Sequence, residues 1–151
     1  MASTTTNTER LAALITTKQQ VLEILVQLSR RQLALIDAGE MTTLLKLLAG
    51  KQTVMTQLQT LERELSAFRN EDPEQRAWAS AAERTACQVR AGQCNALLAE
   101  AMDLEKRAET AMVSRRHAAA AALAVIQAGA DARAAYDTLP PTLLASLQME
   151  G

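Results

Sequence analysis

Leucine, isoleucine and valine recur three and four residues apart along the first seventy residues, which is the spacing of one face of an α-helix. The first stripe comprises Leu11, Leu14, Val21, Leu25, Leu28 and Leu35, widened by Ile15, Leu22 and Ile36. The second comprises Met41, Leu44, Leu48, Met55, Leu58 and Leu65. Because polar residues flank both stripes, the pattern predicts two long amphipathic helices, over residues 6–37 and 40–69.

The connection between these helices is very short, consisting of Asp37, Ala38, Gly39 and Glu40. Gly39 can adopt the left-handed conformation that ends a helix. Asp37 and Glu40 have the spacing of a capping box, which starts the next helix. So short a connection makes the two helices antiparallel neighbours, and the sequence therefore predicts a helical hairpin.

The beginning of the chain and the polar breaks in the two stripes give further expectations. Residues 1–5 are expected to be disordered, and a capping box at Thr6 and Glu9 to start the first helix. Because the hairpin turns near position 38.5, the numbers of two facing residues should sum to roughly 77. This brings Lys18 near Glu62 and Glu23 near Lys51. We expect both to be cross-helix ion pairs; the alternative is that all four side chains extend into water.

A third helix follows the hairpin. Asp72 as N-cap and Pro73 as first helical residue mark its start, and the pattern continues to about residue 128. Its apolar seam comprises Cys87, Cys94, Leu97, Ala101, Leu104, Ala108 and Ala111. The weakest point of this helix is the stretch 114–117, and Gly129 is expected to end it.

The lengths of the helices predict the architecture. The third helix, of about 55 residues, is nearly twice as long as each of the first two, so the hairpin covers it only to about Leu104. The sequence therefore predicts an all-α fold: an antiparallel bundle of three long helices, made of the N-terminal hairpin and the longer third helix, with an apolar, partly detached C-terminal segment. We divide the chain into a helical bundle, residues 1–112, and a C-terminal helical extension, residues 113–151.

Composition narrows the class of protein. Hydrophobic residues make up 48% of the chain but aromatic residues only 2%, and the net charge is −1. This composition favours helices, and the absence of a large basic patch excludes nucleic acid as an expected partner. No apolar run reaches the roughly 20 residues of a membrane span. Since the first ten residues do not resemble a signal peptide and Cys87 and Cys94 are spaced too far apart for a disulfide, we expect a cytoplasmic protein.

Candidate chemistry is scarce. His117, the only histidine, follows two arginines on an alanine-rich stretch, which favours a surface or interface role over metal binding or catalysis. The chain has no repeated Glu-x-x-His motif for a di-iron site, no glycine-rich phosphate loop and no cysteine cluster with zinc spacing. We therefore expect no catalytic residue, no metal and no cofactor, and a protein that is not an enzyme.

The hairpin carries a resemblance to a known family. Asp37, Leu44, Lys51, Leu58 and the run Leu61-Glu62-Arg63 resemble the N-terminal half of the FlgN-type flagellar export chaperones. The chain length, the long third helix and the pair Gly129 and Tyr136 are also similar to that family. The Asp-Thr-Leu-Pro-Pro that follows Tyr136 departs from the glycine-rich ending that the family leads us to expect.

The resemblance implies a function. FlgN-type proteins are cytoplasmic, bind hook-associated (hook–filament junction) proteins and keep them soluble and competent for secretion. In that family the C-terminal segment binds the client as an amphipathic helix laid along an apolar client helix. Carried over to this chain, the client-binding residues are Val113, Leu123, Ile126, Tyr136, Leu139, Leu143, Leu144 and Leu147.

Two other interpretations fit the same pattern. One is a self-associating helical scaffold or coiled-coil protein without a client, in which the alanine-rich tail forms a homodimer interface. The other is a phasin-like protein that coats storage granules, which the charged residues of the third helix disfavour. The sequence leaves open which client is bound, whether the flagellar export apparatus is contacted, and the oligomeric state.

Overall fold

The computed structural model describes residues 2–140, with the side chains of residues 6–140. Helix α1 spans Ala2–Ala38, helix α2 spans Met41–Ser66 and helix α3 spans Ala81–Asp137. A 3₁₀ helix, Pro73–Gln75, lies between α2 and α3. No strand occurs among these elements, and residues of all three helices share one core, so the predicted all-α bundle is confirmed.

The chain divides into two compact units, Met1–Ala111 and Met112–Gly151. The first unit contains α1, α2 and the part of α3 that ends at Ala111. Every buried residue of the described chain belongs to this unit, and Ala108 is the last of them. The described residues after Met112 are exposed, apart from the half-buried Leu139.

The core of the first unit forms where α1 meets both other helices. Its buried residues are Val21, Leu22, Leu25, Val26, Leu58, Leu61, Cys94, Ala101 and Leu104. Leu22 is fully buried, and the seam expected on α3 is confirmed at five positions, since Cys87, Cys94, Ala101, Leu104 and Ala108 are buried. Val26 and Ser29, which the stripe on α1 does not include, are buried as well because α1 packs against two helices.

Backbone hydrogen bonds close the turn of the hairpin. Gly39 has a φ of 74°, in the left-handed region, as the sequence predicts. Its amide donates to the Ile36 carbonyl (3.1 Å) and the Glu40 amide donates to the Leu35 carbonyl (3.0 Å), which is the Schellman pattern. The expected Asp37–Glu40 capping box is wrong: Asp37 lies inside α1, and Glu40 is the N-cap of α2 without a side-chain hydrogen bond to cap it.

Two glycine substitutions are expected to change stability in opposite directions. Gly39→Ala places a Cβ in the left-handed region and should destabilise the fold by about 1–2 kcal/mol. Gly50→Ala, inside α2, should stabilise it by about 0.5–1 kcal/mol, because a Cβ there meets nothing within 4 Å and alanine loses less entropy on folding. Urea unfolding measures the stability of both variants. Equal midpoints would contradict the conclusion that Gly39 needs the left-handed conformation.

The start of α3 differs from the prediction. Asp72 does cap a helix, since its Oδ1 accepts from the Glu74 amide at 3.0 Å, but that helix is 3₁₀ and ends at Gln75. Two hydrogen bonds hold the next residues: Arg76 donates to the Phe68 carbonyl (2.8 Å) and Thr8 Oγ1 of α1 donates to the Ala77 carbonyl (2.7 Å). Helix α3 therefore begins only at Ala81.

The signal for this later start is present in the sequence Ser80-Ala81-Ala82-Glu83, which has the spacing of a capping box. In the structure the Ser80 Oγ accepts from the Glu83 amide at 3.1 Å. The prediction rested on Asp72 and Pro73 and missed this second cap.

The other helix ends also differ from the expectations. Helix α1 already begins at Ala2, so the expected start at Thr6 and the expected disorder of residues 2–5 are wrong. Helix α2 ends at Ser66, three residues early. Helix α3 passes through residues 114–117 and Gly129 and ends at Asp137, because alanines, the best helix formers, surround both weak points and a single glycine costs only about 1 kcal/mol.

One of the two expected ion pairs is confirmed. Lys18 Nζ lies 2.5 Å from Glu62 Oε1 across the hairpin. The pair Glu23–Lys51 is wrong: Lys51 Nζ donates to Gln32 Oε1 at 2.7 Å and forms an ion pair with Glu105 of α3. The partner of Lys51 on α1 is thus Gln32, which lies nine positions closer to the turn than the expected Glu23. The register assumed between α1 and α2 was therefore displaced at this point. The prediction also considered only α1 and α2, so it could not include Glu105, which lies on α3.

Candidate functional site

Exposed aliphatic residues are concentrated after Ala111. The second unit exposes Val113, Leu123, Val125, Ile126 and Tyr136. Leu123 is 65% exposed and Ile126 is 68% exposed, whereas a side chain of this size gains about 1.5–3 kcal/mol when fully buried. We call residues 113–137 the exposed segment. Because exposed aliphatic side chains at neighbouring positions mark interaction surfaces, this segment is the first candidate site.

The residues predicted to bind a client lie partly in this segment. Val113, Leu123, Ile126 and Tyr136 are exposed on α3, and Leu139 is half-buried just after the helix ends. The remaining three, Leu143, Leu144 and Leu147, lie outside the described residues.

The four helical residues do not form one straight stripe. At about 100° per residue, Leu123 and Ile126 lie about 60° apart and share a face. Val113 lies about 80° from Leu123, and Tyr136 about 80° from Ile126 in the same rotational direction. Tyr136 instead shares a face with Val125, because eleven residues correspond to just over three full turns. The sequence prediction did not include Val125. The exposed segment therefore has two separate apolar faces.

The middle of the exposed segment carries no charge. Residues 117–130 form the longest stretch of the sequence without a charged side chain, with Arg115 and Arg116 before it and Asp131 after it. The Gln127 amide nitrogen donates to Asp131 Oδ1 at 3.1 Å, so that carboxylate is held on the helix surface. A partner of this stretch must itself be apolar, since no charged side chain is present there to select a polar one.

A second candidate surface lies in the first unit. A groove of about 460 Å³ opens between α2 and α3, with residues of α1 at its base. Its lining residues are Leu25, Ser29, Leu48, Lys51, Gln52, Met55, Leu58, Leu98, Ala101, Met102 and Glu105. Met102 is 59% exposed, and the paired Lys51 and Glu105 supply the charges of the lining. Sequence reasoning missed this groove because it arises only when three helices are packed.

The two cysteines are not suited to chemistry. Both are buried and free of disulfides. Burial raises the pKa of the Cys87 thiol, against the opposing effect of Arg76 and Arg90, and burial likewise raises the pKa of the Cys94 thiol. A thiol whose pKa is raised carries less of the reactive thiolate at neutral pH. Both residues therefore act as small apolar side chains in the core.

The described residues contain no group of three or more His, Cys, Asp or Glu side chains that could hold a metal ion. His117 is exposed on α3. Among the helices of residues 2–140, none is sufficiently long and apolar to cross a membrane.

We compared the chain with known proteins and found no relative. No family model, curated protein or solved structure matches the chain.

Proposed function

We propose that the protein is an export chaperone of the FlgN type. It binds flagellar hook-associated proteins in the cytoplasm and keeps them soluble and competent for secretion. It acts by binding alone and catalyses no reaction. The resemblance of the hairpin residues Asp37, Leu44, Lys51 and Leu58 to that family supports this function.

The observation that carries the proposal is the exposure of the aliphatic residues after Ala111. None of the described residues of the second unit is buried, although Leu123, Val125 and Ile126 are large and apolar. A bundle that completes its core by Ala108 does not need these side chains for its own stability. They are therefore available to cover apolar surface on another protein.

The client is an apolar helix near one end of a hook-associated protein. Leu123 and Ile126 provide the main contact, since they share a face and the residues between them are uncharged. Val125 and Tyr136 provide a second face, which allows the exposed segment to contact two client helices at once. Covering an apolar client helix in this way prevents its aggregation, and the absence of a covalent bond allows release before export.

The double variant Leu123→Ala and Ile126→Ala tests this assignment. It removes six carbons from the main face, which at about 0.8 kcal/mol for each buried methylene corresponds to about 5 kcal/mol if both side chains are fully buried by the client. We therefore expect the affinity for a hook-associated protein to fall by at least about a hundredfold. Isothermal titration with the full chain measures the change. The fold should be unaffected, since both residues are exposed in the free protein.

Ile24→Ala is the matched control, because Ile24 is an exposed aliphatic residue of α1 outside the groove. It should bind the client as the unmodified chain does. If the double variant keeps full affinity and Met102→Ala loses it, the client binds the groove of the first unit and the assignment of the exposed segment is wrong.

A further inference from the structure

Four residues of the exposed segment recur at intervals of seven: Arg116, Leu123, Ala130 and Asp137. Seven residues are almost two helical turns, so these side chains follow one face with a drift of only about 20° per interval. All four are exposed. The face therefore has a cation at one end, an anion at the other, and one large and one small apolar residue between them.

We infer that this face binds the same face of a second copy of the chain, with the two helices antiparallel. A two-fold axis midway between Leu123 and Ala130 places Arg116 of each copy beside Asp137 of the other. The same axis places Leu123 of each copy against Ala130 of the other, so a large side chain meets a small one on both sides of the axis. The inference requires only two copies of this chain and does not rest on the proposed function.

Charge decides the direction of the two helices. In a parallel pair, Arg116 would lie beside Arg116 and Asp137 beside Asp137, which places like charges together at both ends. In the antiparallel pair each end has one charge of each sign. On this face the terminal charges set the direction and register, because Leu123 and Ala130 between them are uncharged.

Asp137 gives an independent reason for a cation at this position. It is the last residue of α3, and the last turn of that helix contains no basic residue. A carboxylate at the negative end of the helix dipole is unfavourable unless a positive charge is near. Arg133 lies one turn earlier on the same helix, and Arg116 of the second copy places a further positive charge beside this carboxylate.

The helix itself also benefits from such a partner. Helical stability in proteins arises mainly from packing an apolar face rather than from intrinsic propensity. The described part of the second unit buries none of its helical residues, including Leu123 and Ile126. Pairing buries both, and the alanines around them allow the two helix axes to approach closely.

Charge reversal tests the pairing in the full chain. Sedimentation equilibrium at low salt should detect a monomer–dimer equilibrium for the unmodified protein. Arg116→Asp alone, or Asp137→Arg alone, converts two attractive contacts into two repulsive ones and should raise the dissociation constant about tenfold. The double variant restores both contacts and should return to within about threefold of the unmodified protein. A 1:1 mixture of the two single variants should form dimers as readily as the unmodified chain.

Arg63→Asp, an exposed charge reversal on α2, is the control and should leave the equilibrium unchanged. A protein that stays monomeric up to about 100 μM would overturn the inference, because a dimer weaker than that would be hardly populated at cellular concentrations. Single variants that dimerise as the unmodified chain does would also overturn it, since they would place the contact on another surface such as the groove. So would a double variant that dimerises no better than the single ones.

Discussion

Leu22→Asp is expected to abolish the folded state of the first unit. Leu22 is fully buried, and it lies in the core where residues of all three helices meet. Removing a buried leucine side chain typically costs about 2–5 kcal/mol, and burying a carboxylate without a partner adds to that cost. Since a domain of this size is stable by only about 5–15 kcal/mol, the variant should show a weak helical signal and no cooperative melt. Circular dichroism during heating measures both.

Ile24→Asp is the matched control for this substitution. It introduces the same charge two residues further along α1, at a side chain that is 49% exposed. Its melting temperature should lie within a few degrees of that of the unmodified chain, because surface substitutions usually change the free energy of unfolding by no more than about 0.5 kcal/mol. If both variants melt cooperatively at the same temperature, Leu22 is not in the core.

Deleting residues 113–151 is expected to abolish client binding and leave the bundle folded. The core of the first unit is complete at Ala108, so the remaining chain keeps every buried residue of the described structure. It loses both apolar faces of the exposed segment, including Leu123 and Tyr136. A pull-down with a hook-associated protein measures binding, and a thermal melt of the truncated chain measures folding.

The two readouts separate two kinds of failure. A truncated chain that no longer melts cooperatively would mean that the second unit stabilises the first. A folded truncated chain that retains the client would instead place the client site in the groove between α2 and α3.

The hairpin was predictable because local signals agree there. The apolar stripes, the left-handed Gly39 and the pair Lys18–Glu62 each follow from short-range spacing and one turn. Lys51 was not predictable in the same way. Its partner Glu105 is brought close by the packing of a third helix, and no comparison of two helices contains that information.

The start of α3 had two competing signals of similar strength. Asp72 with Pro73, and Ser80 with Glu83, both form caps in the structure, but only the second begins a long helix. The start is decided by two contacts of the residues between the caps, which depend on the fold: Thr8 donates to the Ala77 carbonyl, and the Arg76 side chain donates to the Phe68 carbonyl. Only the cap at Asp72 was predicted, because a local pattern does not show which of two caps begins the long helix.

The candidate site was predictable in part. Exposure of Leu123, Ile126 and Tyr136 follows from the length of α3 relative to the hairpin, and the structure places them on its surface. Their division between two faces, and the pairing of Tyr136 with Val125, depend on the helix running unbroken through Gly129. The sequence analysis expected the helix to end at Gly129. It therefore placed Val125 and Tyr136 in different segments, and their angular positions around one helix axis could not be compared.

Amide hydrogen exchange of the full chain, with and without a hook-associated protein, tests the central claim most directly. In the free monomer, at a concentration too low for two copies to pair, amides of residues 117–137 should exchange fast, because few buried contacts protect them. On addition of the client, we expect these amides to become strongly protected while residues 48–58 and 98–105, which line the groove, remain unchanged. Protection confined to the groove residues, or no change at any amide, would contradict the assignment of the exposed segment as the client site.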